Sequence, residues 1–250
     1  MHLAQDFQEL FSVASLISLL TLSVLEIVLG IDNIIFISIV SGKLPRATQG
    51  RARTIGLMLA LIMRVILLFC ITWIAGLKDP LFLIVNFGVT GRDIILFAGG
   101  VFLLYKTTIE LRNKIEGFDE TDMKVKKISF NAIVLQIVLI DIIFSFDSIL
   151  TAVSLVSNLL IMILAVIIAM IIMISFSGRV SDFINDNPTI KILALSFLLM
   201  IGGILILDSF HQEINKQFVY VAIAFSLFVE MMNITMRKKE AKRNKNNKTN

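Results

Sequence analysis

The sequence predicts an all-α, polytopic membrane protein of seven transmembrane helices, built as two inverted three-helix repeats plus one extra helix. Composition is the first observation: 57% of the residues are hydrophobic, 17% are charged and the mean hydropathy is +0.89. A soluble domain is usually about 45–50% apolar and about 25% charged. The second observation is that several apolar runs reach the roughly 18–20 residues that span a bilayer. The third is a pair of similar acidic motifs, one in each half of the chain.

Seven apolar runs form the predicted spans. They cover Leu10–Val40, Thr54–Leu77, Asp93–Ile109, Ser129–Val156, Leu159–Ser177, Ile190–Leu207 and Phe218–Met236. The residues before the first run include acids but no Lys or Arg, so they lack the basic region of a cleavable signal peptide, and we expect the first run to stay in the membrane. The short apolar stretch Leu81–Val89 follows Pro80. It predicts an interfacial or re-entrant piece, or an N-terminal extension of the third span.

The first run contains two carboxylates, Glu26 and Asp32, within the segment EIVLGIDN. A charge at membrane depth costs roughly 2.5–3.5 kcal/mol on insertion scales, so a carboxylate there indicates function. As a straight helix, the run would be about 46 Å long, which exceeds the roughly 30 Å hydrocarbon core. It must tilt, protrude or break, and Gly30, between the two acids, is the predicted break.

The second half repeats this arrangement in the segment DIIFSFDS, with the same spacing of six residues between its acids. A shift of 115 positions carries Glu26 to Asp141, Asp32 to Asp147 and Asn33 to Ser148. A shift of 103 positions carries Gly99-Gly100 to Gly202-Gly203. Each half has three spans, an odd number, so the second half is predicted to lie inverted, a recurring design of transporters with a binding site near the midplane.

The domain organisation follows from these runs. Residues 1–236 form one transmembrane domain, with repeats at about 10–110 and 129–213 and an extra helix at about 218–236. Residues 237–250 form a basic tail that is expected to be disordered and solvated. Loops on one side carry 19 Lys and Arg residues and those on the other side carry three. The positive-inside rule therefore places the N-terminus outside and the C-terminus in the cytoplasm.

The two acidic segments predict a metal site. Its candidate ligands are Glu26, Asp32, Asn33, Asp141, Asp147 and Ser148. Carboxylate, amide and hydroxyl oxygens suit magnesium, calcium or manganese, and neither segment contains the His or Cys typical of zinc. Residues six apart lie about 240° around an unbroken helix, so both acids of a segment reach one ion only if the segment unwinds. Grouped carboxylates also raise one another's pKa, which makes exchange of the metal for protons a hypothesis.

Several features have simpler interpretations. Arg64 lies within the second span and could pair with a buried acid, although one Arg cannot neutralise four carboxylates. The Gly-Gly pairs favour close helix packing. Asp208, His211 and Glu213 form a polar cluster on the predicted outer side, which is either an interfacial group or a release site for a metal. The lone Cys70 is expected to be a small core residue.

At these motifs the sequence resembles the TerC family of integral membrane proteins. The resemblance rests on EIVLGIDN, D-x-x-FSFDS, RDIILFAGGVFLLYKTTIE, KILALSFLLMIGG and the end of the last span near VEMMN, and covers nearly all of residues 10–233. It implies two inverted three-helix repeats plus a seventh helix, akin to the lysine-exporter superfamily. It also implies manganese(II) efflux, while the family name comes from tellurium resistance. The acidic motif positions of the family fall on Glu26, Asp32, Asp141 and Asp147.

The sequence therefore predicts a secondary transporter that exports manganese(II) or a related divalent cation from the cytoplasm, with calcium and magnesium as alternatives. The ion is the substrate, and no cofactor is expected. The alternative is a membrane scaffold or assembly factor of a metal- or tellurium-stress resistance complex with a structural metal site. An enzyme is not expected, because the acids do not stand in the GxGD arrangement of intramembrane proteases. The predicted location is a bacterial-type inner or plasma membrane. The bilayer is the expected partner, nucleic acid is not, and a homo-oligomer or a resistance-complex partner stays open.

Overall fold

The computed structural model describes residues 12–70, 80–84, 87–116, 129–156, 158–212 and 216–247. This part of the chain is almost entirely helical, which confirms the predicted all-α class. Its seven long helices are α1 (Val13–Ser41), α2 (Arg46–Phe69), α3 (Gly91–Ile115), α4 (Phe130–Leu155), α5 (Leu159–Asp186), α6 (Pro188–Ser209) and α7 (Lys216–Asn247).

Six of these helices, α1 to α6, are long and apolar enough to cross a membrane. Most extend past the predicted spans into more polar sequence: α2 begins at Arg46 instead of Thr54, and α5 ends at Asp186 instead of Ser177. Backbone hydrogen bonding in a helix continues where the apolar run stops, so helix bounds and membrane bounds differ. The predicted seventh span lies within α7, which is not among the six, and its crossing of the membrane stays a prediction.

The C-terminal basic segment differs from the sequence prediction. We expected residues 237–250 to be disordered, but α7 continues through Asn247. The reason is local: Lys, Arg, Glu and Ala in this segment have high helix propensity, and they extend a helix that is already nucleated.

The segment before α3 forms a hairpin. Strand β1 (Pro80–Ile84) pairs antiparallel with β2 (Phe87–Thr90), so the alternative of a helical extension of the third span was wrong. The Thr90 hydroxyl accepts a hydrogen bond from the Asp93 backbone N–H, and the Asp93 carboxylate accepts one from the Thr90 backbone N–H. This capping box satisfies the backbone N–H groups of Thr90 and Asp93, and therefore α3 begins at Gly91.

The helices pack as a bundle of four and a separate pair. Helices α1 and α5 pack together, as do α2 and α4, and contacts between α2 and α5 and between α1 and α4 close the bundle. Helices α3 and α6 pack chiefly on each other, and α7 contacts α6. In the predicted repeats, α1 corresponds to α4, α2 to α5 and α3 to α6. The counterpart of the α1–α5 pair is therefore the α4–α2 pair, and the α3–α6 pair is its own counterpart. The pairing thus agrees with the repeat, while the direction of each helix across a membrane stays a prediction.

One glycine of each Gly-Gly pair lies in the contact between α3 and α6, as predicted for close packing. A Cβ atom built on Gly100 would be 2.8 Å from the Gly202 backbone oxygen, and one built on Gly202 would be 3.1 Å from Leu104 Cδ2. Gly203 differs, since its Cβ would meet no heavy atom within 4 Å among the described residues. Gly99 faces α4 instead, where its Cβ would meet Ile143 Cγ2. Gly100 and Gly202 therefore allow the backbones of α3 and α6 to approach.

Candidate functional site

Arg64 is the centre of the candidate site. It lies on α2, in the interior of the second predicted span, with a side chain that is 3% exposed. Its Nη1 donates to Glu26 Oε2 of α1 at 2.7 Å. Its Nε and Nη2 donate to Asp141 Oδ2 and Oδ1 of α4 at 2.9 and 2.7 Å. One guanidinium thus joins three helices and one acid from each predicted repeat.

Asp141 is hydrogen-bonded at both carboxylate oxygens. Besides the two bonds from Arg64, Oδ1 accepts from Asn33 Nδ2 at 3.1 Å. The Ser145 hydroxyl lies 3.0 Å from Oδ2 and 2.5 Å from the Asp141 backbone oxygen. Asp141 is 1% exposed, and such a carboxylate is stable in an apolar interior only when it is paired and hydrogen-bonded. These contacts meet that requirement.

Two buried oxygens that α1 contributes to this cluster have no such partner among the described residues. Glu26 Oε1 and Asn33 Oδ1 make no hydrogen bond to any described residue, although both residues are only 2% exposed. Ser148 lies near Glu26, but its hydroxyl donates to the Ser145 backbone oxygen at 3.2 Å. A buried acceptor without a partner costs about 1–3 kcal/mol, and more when it is charged. A bound cation or a proton would remove that cost at Glu26.

The charges in this cluster do not balance. When both are ionised, Glu26 and Asp141 carry two negative charges against the single positive charge of Arg64. An uncompensated buried charge is strongly unfavourable. The cluster therefore favours the uptake of one more positive charge.

The structure brings together Glu26, Asn33, Asp141 and Ser148 of the predicted site, around Arg64. The other two predicted ligands, Asp32 and Asp147, lie within α1 and α4, and their side chains are outside the described residues. Within the described ranges, no group of three or more His, Cys, Asp or Glu side chains is arranged to hold a metal ion.

The predicted break at Gly30 was wrong. Helix α1 continues from Val13 to Ser41 through Gly30, and α4 likewise continues through Ser145. Gly30 instead provides space, because a Cβ there would collide with the Met173 thioether of α5. The carbonyl oxygens that unwinding would release remain in helical hydrogen bonds, so backbone ligands from this segment are not expected.

An unbroken helix changes which residues share a face. Positions six apart, such as 26 and 32, lie about 240° around the axis, whereas positions seven apart return to within about 20°. Asn33 therefore shares the face of Glu26, and Ser148 shares the face of Asp141. Reasoning from sequence named Arg64 as a possible partner of a buried acid, but it missed the pairing of positions seven apart and the contact of Ser145 with the Asp141 carboxylate. A spacing of seven is the signal that indicates this pairing.

We expect Gly30→Ala to cost less than about 1.5 kcal/mol of stability, because the flexible end of Met173 can move away from an added methyl group. The measurement is thermal unfolding of the purified protein. A loss of several kcal/mol in Gly30→Ala would mean that the Met173 side chain cannot move aside and would contradict this assignment.

The predicted outer cluster has a different composition. His211 Nε2 lies 3.0 Å from Asp93 Oδ2, so the histidine joins the end of α6 to the capping box of α3. His211 adopts a φ of 58°, an uncommon conformation for a residue other than glycine. Asp208 is buried at the end of α6, and Glu213 lies outside the described residues. Sequence reasoning missed Asp93, although the T-x-x-D spacing of a capping box was readable.

The chain is similar to a family of integral membrane proteins. A family model described as "Integral membrane protein TerC family" matches residues 11–245. A UPF0053 protein of Haemophilus influenzae is 45% identical over 223 residues, covering 89% of this chain and 94% of the relative. The UPF0053 inner membrane protein YgdQ of Escherichia coli is 46% identical over 219 residues, covering 88% and 92%. The UPF0053 inner membrane protein YoaE of Escherichia coli is 47% identical over 221 residues, covering 88% of this chain but 43% of that relative. No solved structure matches the chain.

Proposed function

This chain belongs to the TerC family of integral membrane proteins, and we propose that it is a secondary transporter that exports manganese(II) or a related divalent cation. The observation that carries the proposal is the buried cluster of Arg64, Glu26 and Asp141, which has one negative charge in excess when both acids are ionised. One of its carboxylate oxygens, Glu26 Oε1, also has no hydrogen-bond partner among the described residues. A charged cluster inside an apolar bundle is costly and indicates a pathway for ions or protons.

The membrane location follows from the apolar helices and from the relatives. YgdQ and YoaE are named as inner membrane proteins, and we assign this chain to the same membrane. The excess of Lys and Arg on one side supports a cytoplasmic C-terminus. With that orientation, α1 and α4 bring Glu26 and Asp141 to the cluster from opposite directions.

The available ligands support a hard divalent cation. Glu26 Oε1 and Asn33 Oδ1 are buried oxygens without partners in the described part of the chain, and carboxylate and amide oxygens suit manganese, calcium and magnesium. Two carboxylates held by one Arg do not complete a metal site. The proposal therefore also uses Asp32 and Asp147, which lie six residues further along α1 and α4. Because the two helices are unbroken, positions six apart lie about 240° around the axis, so these acids serve a second point on the ion path and not the same ion as Glu26.

A scaffold with a structural ion-pair network is the second candidate. The observation that favours it is that Arg64 ties α1, α2 and α4 together with three short hydrogen bonds. A scaffold does not require the unpartnered oxygen of Glu26, which is why transport is our first choice.

We expect Asp32→Asn and Asp147→Asn each to reduce manganese export at least about tenfold, because even indirect partners of a metal site are worth 10–100-fold in affinity. Cellular manganese and growth at raised manganese are the measurements. Glu116→Gln is the control, since Glu116 is an exposed carboxylate paired with Arg112 on the surface. Normal export in both Asp variants would remove them from the site and favour the scaffold.

Exchange of the metal for protons is tested separately. In sealed vesicles that contain the protein, an imposed pH gradient should drive manganese uptake or release, because carboxylates that lose the metal recover a neutralising proton. Transport that proceeds at the same rate after the gradient is collapsed would exclude proton exchange while leaving metal transport intact.

A further inference from the structure

Arg64 is placed to act in the transport cycle and not only in folding. We propose that Arg64 is a tethered cation, which neutralises Glu26 when the site is empty and is displaced from Glu26 by the incoming metal, while Asp141 continues to hold it. This inference rests on the proposed function and assigns a role to Arg64 within it. Arg64 is thus a positioning residue, because it acts on the ion through Glu26.

The two acids hold Arg64 unequally. Asp141 accepts two parallel hydrogen bonds from Nε and Nη2, at 2.9 and 2.7 Å, whereas Glu26 accepts one from Nη1, at 2.7 Å. Bidentate pairs of this type are the strongest and most directional contacts of a guanidinium. Asp141 is further held by Asn33 and Ser145. The contact with Glu26 is therefore the one that breaks first.

Glu26 is the acid prepared for a second cation. Its Oε2 faces Arg64, and its Oε1 has no hydrogen-bond partner among the described residues, although the residue is 2% exposed. Asn33, two helical turns along the same face, presents a second unpartnered oxygen, Oδ1, and its Nδ2 is fixed on Asp141. Glu26 Oε1 and Asn33 Oδ1 both belong to α1, and Asp141 on α4 fixes the groups next to them.

Charge explains why Arg64 must move. With one negative charge in excess, the cluster attracts a cation. A divalent ion bound to Glu26 changes the net charge of the cluster from one negative charge to one positive charge. The ion and the guanidinium then repel each other in a medium of low dielectric constant. Movement of Nη1 away from Glu26 relieves this repulsion. When the ion leaves, the return of Nη1 prevents Glu26 from remaining a buried, unpaired charge.

The test is manganese binding to the purified full-length protein in detergent, comparing wild type with Arg64→Gln and Arg64→Lys. Removal of a competing cation should tighten binding of Mn²⁺ to Arg64→Gln at least about tenfold, within the 5–150-fold range of typical coupling between sites. Arg64→Lys should tighten it less, because an ammonium keeps the charge but lacks the bidentate fork. In proteoliposomes, Arg64→Gln should lower both KM and the maximal rate, since tighter binding slows release of the ion.

A folded Arg64→Gln protein with unchanged, weaker or absent Mn²⁺ binding overturns the proposal. If that variant does not fold, Arg64→Lys decides: an affinity equal to that of wild type overturns the proposal, and a severalfold increase supports it. The proposed function is judged by a different measurement, which is manganese flux by wild-type protein. Wild type that binds Mn²⁺ but does not transport it would refute export. The Mn²⁺ affinities of wild type, Arg64→Gln and Arg64→Lys would still decide the role of Arg64.

Discussion

Asp141→Asn is expected to destabilise the folded protein by about 3 kcal/mol, whereas Glu26→Gln should cost about 1 kcal/mol or less. Both changes remove one negative charge from the same cluster. They differ in hydrogen bonding, since Asp141 accepts two bonds from Arg64 and others from Asn33 and Ser145, while Glu26 accepts one. In Asp141→Asn, the side-chain amide would place its N–H groups against N–H groups of Arg64, and two donors cannot form a hydrogen bond. A Gln carbonyl can still accept the bond from Nη1.

The measurement is thermal or chemical unfolding of purified protein in detergent. Glu116→Gln serves as the control for loss of a carboxylate, because surface ion pairs are worth only about 0–1 kcal/mol. Equal losses for Asp141→Asn and Glu26→Gln would mean that the two acids share Arg64 equally. That result would remove the asymmetry on which the tethered-cation proposal depends.

The sequence was sufficient for the parts of the structure that depend on local pattern. Hydropathy located the helices, because an apolar run of about 20 residues has few alternatives to a membrane helix. The repeated motif indicated that Glu26 and Asp141 lie close together. They occupy equivalent positions in the two predicted inverted repeats, and a binding site in such proteins lies where the repeats meet. In the structure, both acids contact Arg64.

The parts that depend on tertiary contacts were not predictable in the same way. Gly30 has the same local sequence whether α1 breaks there or packs against Met173, and only the position of α5 distinguishes the two. Arg64 could have paired with any of four acids. Its choice depends on how α2 lies between α1 and α4, which residue spacing within one helix does not determine. The contact between Asp93 and His211 joins residues 118 positions apart.

The helices divide into a four-helix bundle and an α3–α6 pair, and this division separates the packing glycines of the pair from the candidate site. The candidate site lies within the bundle, on α1, α2 and α4, whereas Gly100 and Gly202 lie in the contact between α3 and α6. Changes in the pair should therefore affect the stability of the protein without direct contact with the ion. This separation makes it possible to perturb packing and chemistry independently.

Gly100→Ala is accordingly expected to cost about 3 kcal/mol of stability, at the upper end of overpacking penalties. The added Cβ would lie 2.8 Å from the Gly202 backbone oxygen and 3.1 Å from the Ile206 backbone nitrogen. Backbone atoms cannot move aside as the flexible end of a side chain can, so α3 and α6 would have to separate along their contact. Thermal unfolding of the purified variant measures the loss.

Gly203→Ala is the matched control, because it makes the same chemical change on α6, in the repeat-related Gly-Gly pair. A Cβ at Gly203 meets no described atom within 4 Å, and Ala favours a helix over Gly by roughly 0.5–1 kcal/mol. This variant should therefore be as stable as wild type or slightly more stable. If Gly100→Ala and Gly203→Ala shifted stability equally, helix propensity and not close packing would explain the Gly-Gly pairs, and the tight contact of α3 with α6 would be refuted.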